Sequence, residues 1–110
     1  MSSSKKKGYR VERKVRKIFE KNGWKVIRAG ASLGEADLVC IKNKKCFLIQ
    51  VKSTKKDKFY YYGELIKKIE GFPLYMVVDF GYGNIIISKP KRIIEKNQLK
   101  LESFLQKFNK

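Results

Sequence analysis

Apolar positions lay out the elements of this chain one after another. From Gly8 to Asn22, Val11, Val15, Ile18 and Phe19 recur at i, i+4, i+7 and i+8, the stripe of an amphipathic helix, and Asn22-Gly23 is a helix stop. Trp24–Ala29 reads as a first strand, followed by Gly30-Ala-Ser-Leu-Gly34, a small-residue loop where backbone can approach a phosphate closely. Two apolar runs, 36–41 and 46–52, flank a polar turn and predict a β-hairpin. Ser53–Lys58 is a basic loop. Phe59–Glu70 predicts a second helix with an aromatic start, stopped by Gly71-Phe-Pro73. Leu74–Phe80 and Ile85–Lys89 predict two strands around the turn Gly81–Asn84, and Leu99–Phe108 a short closing helix. The order α-β-β-β-α-β-β-α predicts an α/β fold with a mixed five-stranded sheet flanked by helices. Residues 1–7 read as a flexible basic arm and 8–110 as one domain, with no internal repeat.

The hairpin carries polar groups where buried strands would ordinarily have none. A two-residue loop at 43–44 and a four-residue loop at 42–45 give the same register, which sets Asp37 opposite Gln50 with Cβ atoms about 5 Å apart. Alternation puts Lys52 on the face of Gln50. A carboxylate, an amide oxygen and an ammonium together suit a hard cation held beside a scissile phosphate. Glu12 falls about 20° beyond Phe19 on the helix, at the edge of the apolar stripe. There it either pairs with a base on the helix surface or points into a site at the sheet edge. Lys52 alone would be a strand-end lysine in solvent. Opposite Asp37 and ahead of a basic loop, it reads as a site residue.

Charge and the absence of one residue type narrow the chemistry. Lys and Arg number 27 against 10 acids, a net charge of +17 in 110 residues, which points to a polyanionic partner. The basic clusters are Lys5–Lys7, Arg10 with Arg13, Lys42 with Lys44 and Lys45, Lys55 with Lys56 and Lys58, and Lys89 with Lys91 and Arg92. A thermophile's lysine-rich surface explains many lysines but not so large a deficit of acids, because ion-pair networks need both signs. There is no histidine, which excludes Ser-His-Asp and Cys-His catalysis and an imidazole base. Cys40 and Cys46 read as small core residues, with Cys46 facing Ile41 rather than Cys40. No apolar run is long enough to cross a bilayer and the N-terminus lacks a signal core, so the reading is a soluble, cytoplasmic protein without membrane contact (host cytoplasm if viral).

Read in order, Lys7-Gly-x-x-x-Glu12, Arg28-Ala-Gly-Ala-Ser32, Ala-Asp37-Leu-Val and Phe-Leu-Ile-Gln50-Val-Lys52-Ser-Thr-Lys-Lys resemble the archaeal-type Holliday-junction resolvases. These are restriction-endonuclease-like nucleases of the PD-(D/E)xK group, and the match runs from about Lys7 to Phe80. The resemblance implies that Glu12 helps hold the metal's water, that Ser32 lies near the scissile phosphate and that Asp37 is the central metal ligand. Gln50 stands where the acid of (D/E)xK is expected, Val51 lends a backbone carbonyl to the metal, and Lys52 is the motif lysine. It also implies Mg²⁺ or Mn²⁺ as cofactor, four-way DNA junctions as substrate and a symmetric homodimer. Candidates for the dimer surface are the aromatic start of the second helix and the Leu74–Val78 strand. DNA contacts would fall on Lys5, Lys6, Lys7, Arg10, Arg13, Arg28, Lys55, Lys56 and Lys58.

Gln50 is the departure, since most relatives carry a carboxylate there. An amide oxygen is a weaker ligand for Mg²⁺. Three readings stand: a tolerated variant with Glu12 and Asp37 supplying the charge, a binding-only descendant, or an introduced Glu→Gln change. The functional expectation is a metal-dependent endonuclease resolving four-way junctions by paired cleavage. The alternatives are a non-catalytic junction or duplex binder and a repair or restriction-like nuclease on linear duplex.

Overall fold

The helical stripe forms α1 (Ser3–Lys21) in a computed structural model that describes residues 3–30 and 33–108. Val11, Val15 and Phe19 are buried along it. The helix starts at Ser3, five residues before the predicted Gly8, so the backbone of 3–7 continues the helix. Met1 and Ser2, and the side chains of Lys5, Lys6 and Lys7, lie outside the described residues. The C-terminus is closed as the sequence reads. Gly23 adopts φ +87°, the Gly23 N–H donates to Glu20 O and the Trp24 N–H to Phe19 O, the paired bonds of a Schellman motif. The Trp24 and Phe19 rings seal that end, edge to face at 5.8 Å.

The sheet is built from β1 (Lys25–Arg28), β2 (Leu38–Lys42), β3 (Lys45–Ser53), β5 (Lys68–Ile69), β6 (Phe72–Asp79) and β7 (Ile85–Ser88). Its order is β1-β2-β3-β6, with β5 and β7 both paired to the far edge of β6. The β3–β6 pair is parallel and every other pair is antiparallel, so the sheet is mixed, as predicted, with six strands rather than the five expected. From Lys42–Lys45 to Leu38–Ile49 the hairpin register is the predicted one, with Ile41 facing Cys46, but the ladder stops there and the expected Asp37–Gln50 rung does not form. Asn43 and Lys44 both take positive φ, 49° and 69°, which selects the two-residue type I′ turn.

One face of the sheet packs on α1 and on α2 (Leu101–Gln106), around Phe19, Leu38, Ile49, Val77, Leu101 and Leu105. Trp24, Phe47, Tyr75, Phe104 and Phe108 extend this core as a cluster of aromatic contacts with centroids 5.0–5.9 Å apart.

The other face departs from expectation. Phe59–Glu70 is not a helix. Its start is β4 (Lys58–Tyr60), paired antiparallel to β8 (Ile93–Glu95), and its end is β5, joined to β6 by a turn at Glu70-Gly71 with φ 52° and 84°. Aromatic residues prefer a pleated, half-buried surface. Here they find one, since Phe59, Tyr61 and Ile94 cover Met76, Val78 and Ile86. Gly63 fixes the bend, because a Cβ there would sit 2.3 Å from the Tyr61 hydroxyl oxygen. The change alters the predicted dimer surfaces without removing the aromatic one, since Tyr60 and Tyr62 stay exposed. The second helix is absent, and Leu74, Met76, Val77 and Val78 are buried between β3 and β7. No helix among the described residues is long and apolar enough to cross a membrane.

Candidate active site

Asp37 stands where the β2 ladder runs out, at the end of the sheet. The last regular rung is Leu38–Ile49. One residue earlier, the Asp37 N–H donates to Ile49 O at 2.7 Å and Asp37 O accepts from Ala29 N at 2.9 Å, so its backbone is pinned from both sides. Its carboxylate then takes the role of a ladder acceptor, with Oδ2 receiving the Val51 N–H at 2.7 Å. The two bonds to β3 bracket Gln50. A half-buried carboxylate is thereby held rigidly at a strand end.

Glu12 reaches this end from α1. Its Oε1 accepts from Arg28 Nε at 2.5 Å, and the Arg28 guanidinium lies 4.7 Å from the Tyr9 ring centre. Glu12 therefore pairs with a base on β1 rather than on the helix surface, and its charge is felt at Asp37. Arg28, expected as a DNA contact, spends part of its charge on Glu12 and keeps an exposed edge.

Gln50 is 3% exposed, and its Nε2 donates to Glu35 Oε2 at 3.1 Å and to the Tyr61 hydroxyl at 3.4 Å. The Tyr61 hydroxyl in turn donates to the same Glu35 oxygen at 3.3 Å. Lys52 lies on this face too, its ammonium 5.9 Å from the Tyr61 ring centre. Glu12, Lys52 and Glu35 all act on the Asp37 charge, and Glu35 is tied in turn to Gln50 and Tyr61.

Burial and acid crowding act together on Asp37. Desolvation raises its pKa above the ordinary aspartate value, Glu12 and Glu35 raise it further, and the Val51 N–H and Lys52 oppose the shift. Glu12 in turn holds the Arg28 guanidinium more firmly protonated. Among the described residues no three acidic or cysteine side chains converge tightly enough to cage a metal alone. A hard divalent cation would be held by the Asp37 carboxylate, the Val51 carbonyl, the Gln50 amide oxygen and water, an ordinary oxygen set for such an ion. The raised Asp37 pKa fits this, since crowded carboxylates are relieved by a cation between them.

Ser32 lies outside the described residues. Arg10 and Arg13 are exposed on α1, and Lys55, Lys56 and Lys58 are exposed around the start of β4, where Lys58 stands 3.6 Å from Glu95. Sequence reasoning gave no role to Glu35 or to Tyr61. Glu35 had a signal, an acid two positions before Asp37 on the approach to the strand. Tyr61 had none, because its partners depend on how the 54–71 crossover folds. Cys40 is a buried thiol whose pKa burial pushes upward, as a core residue's would be.

The sequence profile described as archaeal Holliday junction resolvase (Hjc) matches residues 3–102. The chain is 34% identical over 67 residues, 61% of its length, to the crossover junction endodeoxyribonuclease Hjc of Methanocaldococcus jannaschii. That alignment covers 50% of the relative, so the chain spans about half the length of the curated protein it matches. Among solved structures, Archaeoglobus fulgidus Hjc, a Holliday junction resolvase from an archaeal hyperthermophile, matches with a TM-score of 0.70 at 18% identity, over 91% of this chain and 96% of that one. That likeness establishes the fold.

Proposed function

The chain belongs to the archaeal Holliday junction resolvase family, and on that premise we propose that it is a metal-dependent DNA endonuclease that resolves four-way junctions by paired phosphodiester cleavage. One observation carries the reading. A half-buried carboxylate with a raised pKa is pinned at a strand end, with two acids and a lysine acting on its charge, in a chain of net charge +17.

Hydrolysis of a phosphodiester requires a water oxygen to bond to phosphorus while the P–O bond to the leaving oxygen breaks and that oxygen gains a proton. Bound Mg²⁺ or Mn²⁺ supplies positive charge to the phosphoryl oxygens and lowers the pKa of nearby water. Asp37, the Val51 carbonyl and Gln50 would hold the ion. Lys52, on the face of Gln50, orients the attacking water or meets charge developing on the phosphoryl oxygen. Glu12, held by Arg28, accepts a hydrogen bond from the water on the α1 side. Exposed Arg10, Arg13, Lys55, Lys56 and Lys58 contact phosphates of the arms.

Cutting two strands symmetrically calls for two sites, hence a homodimer. Among the exposed apolar side chains, Tyr60 and Ile93 on the β4–β8 ribbon, Tyr62 just after it and Phe72 at the start of β6 are the surface we assign to it. The test is a synthetic four-way junction incubated with Mg²⁺ or Mn²⁺, with linear duplex alongside. Paired symmetric nicks confined to the junction are expected. Tight binding with no nicks would leave a junction-binding protein, and equal cutting of linear duplex would leave a general nuclease.

A further inference from the structure

The contact between Gln50 and Glu35 has a chemical asymmetry. Glu35 Oε2 receives two donors, Gln50 Nε2 at 3.1 Å and the Tyr61 hydroxyl at 3.3 Å. Among the described residues its Oε1 takes no hydrogen bond, and Glu35 is exposed. One carboxylate oxygen is therefore fixed by the protein, and the Glu35 charge is felt at Asp37, whose pKa it helps to raise. Gln50 is the buried partner. A carboxylate at position 50 would set two anionic oxygens about 3 Å apart with little water between them, whereas an amide converts that repulsion into a donated bond.

We infer that Glu35 supplies the site's second carboxylate for the divalent cation, and that Gln50 and Tyr61 are positioning residues that hold it there. The acid has changed places with the amide. The carboxylate comes from the loop before β2, and β3 contributes the neutral partner that orients it. Gln50 then marks a relocated charge rather than a missing one. The inference rests on the metal-dependent reading above and deepens it.

The swap can be tested with metal binding as a readout separate from cleavage. Mn²⁺ affinity is measured calorimetrically on the DNA-free protein for wild type, Glu35→Gln, Gln50→Glu and the exchanged pair Glu35→Gln/Gln50→Glu, with melting curves confirming that each folds. Glu35→Gln is expected to weaken Mn²⁺ binding by about 10–100-fold, as loss of a group at a metal centre ordinarily does. The exchanged pair is expected to return it to within about threefold of wild type, since charge count and contact are both restored. Rescue by the exchange is something a merely structural role would not produce. Wild-type affinity in Glu35→Gln would overturn the inference, as would an exchanged pair no better than Glu35→Gln. Junction cleavage that survives Glu35→Gln unchanged would remove Glu35 from the site while the nuclease reading stands. Glu35-dependent Mn²⁺ binding without any cleavage by wild type would leave the pair in place and defeat the nuclease reading instead.

Discussion

Asp37 shows what a site residue costs the fold that carries it. In the folded chain it keeps its proton to a higher pH than in the unfolded chain, because burial and two neighbouring acids disfavour its charge. Ionising it as the pH rises past the ordinary aspartate range therefore removes stability, and that loss is complete above the folded pKa. Asp37→Asn keeps an oxygen for the Val51 N–H and sheds the charge. It is expected to raise the melting temperature of the metal-free protein at pH 7 by about 2 °C, a small figure because roughly half the group still sees solvent. The same change should abolish nicking while leaving junction binding intact, which gel shift and cleavage assays on one preparation would show. Mn²⁺ affinity should climb over the pH window in which Asp37 ionises, starting above the ordinary aspartate range. An affinity that is flat with pH from about 4 to 7 would contradict the assignment of Asp37 as a ligand. The grouping of Lys52 and Glu12 near Asp37 was legible in the sequence because hairpin register and helix phase are local quantities. Glu35 was not singled out, because its value depends on a hydrogen bond to Gln50 that no local period encodes.

At the scale of elements, sequence and structure agree wherever a pattern is satisfied by near neighbours. The stripe of α1, its Schellman ending and the Asn43-Lys44 turn are of this kind. They part where the partner is distant. Residues 59–69 have apolar spacing that fits a helix, yet β4 pairs with β8 and β5 with β6. The aromatic run gains more by covering Met76, Val78 and Ile86 than by closing helical hydrogen bonds. Gly63 is the hinge of that choice. Gly63→Ala must push the Tyr61 ring away, and the Arg92 guanidinium is bonded to the Gly63 carbonyl as well, so the bend has little room to relax. A loss of about 1–3 kcal/mol is expected in denaturant titrations. Cleavage should fall further than stability alone explains, because the displaced hydroxyl no longer holds Glu35. Gly63→Ala with wild-type stability would mean that the ring moves freely, which its burial argues against.

For the whole molecule, charge governs encounter and the site governs chemistry. With a net charge of +17, junction affinity should fall steeply with salt as phosphate contacts release counterions. With about six such contacts the loss is about 10³-fold between roughly 50 and 200 mM salt, measured by fluorescence anisotropy on a labelled junction. Asp37→Asn should follow the same slope. A shallow dependence, near one or two contacts, would mean that the exposed lysines are a solvated surface and not a DNA footprint. The proposed polyanionic partner was legible from composition alone. The burial of the Leu74–Val78 strand was not, because it depends on pairing with both β3 and β7.

The Asp37 oxygen that accepts the Val51 amide proton belongs both to the sheet and to the proposed metal site. A cation arriving at that carboxylate draws electron density from the bond. The Val51 amide resonance should therefore move in a ¹⁵N-labelled sample as diamagnetic Mg²⁺ is added and return when it is removed. A single backbone nucleus thus becomes an occupancy gauge for the cutting centre, readable without DNA and without turnover.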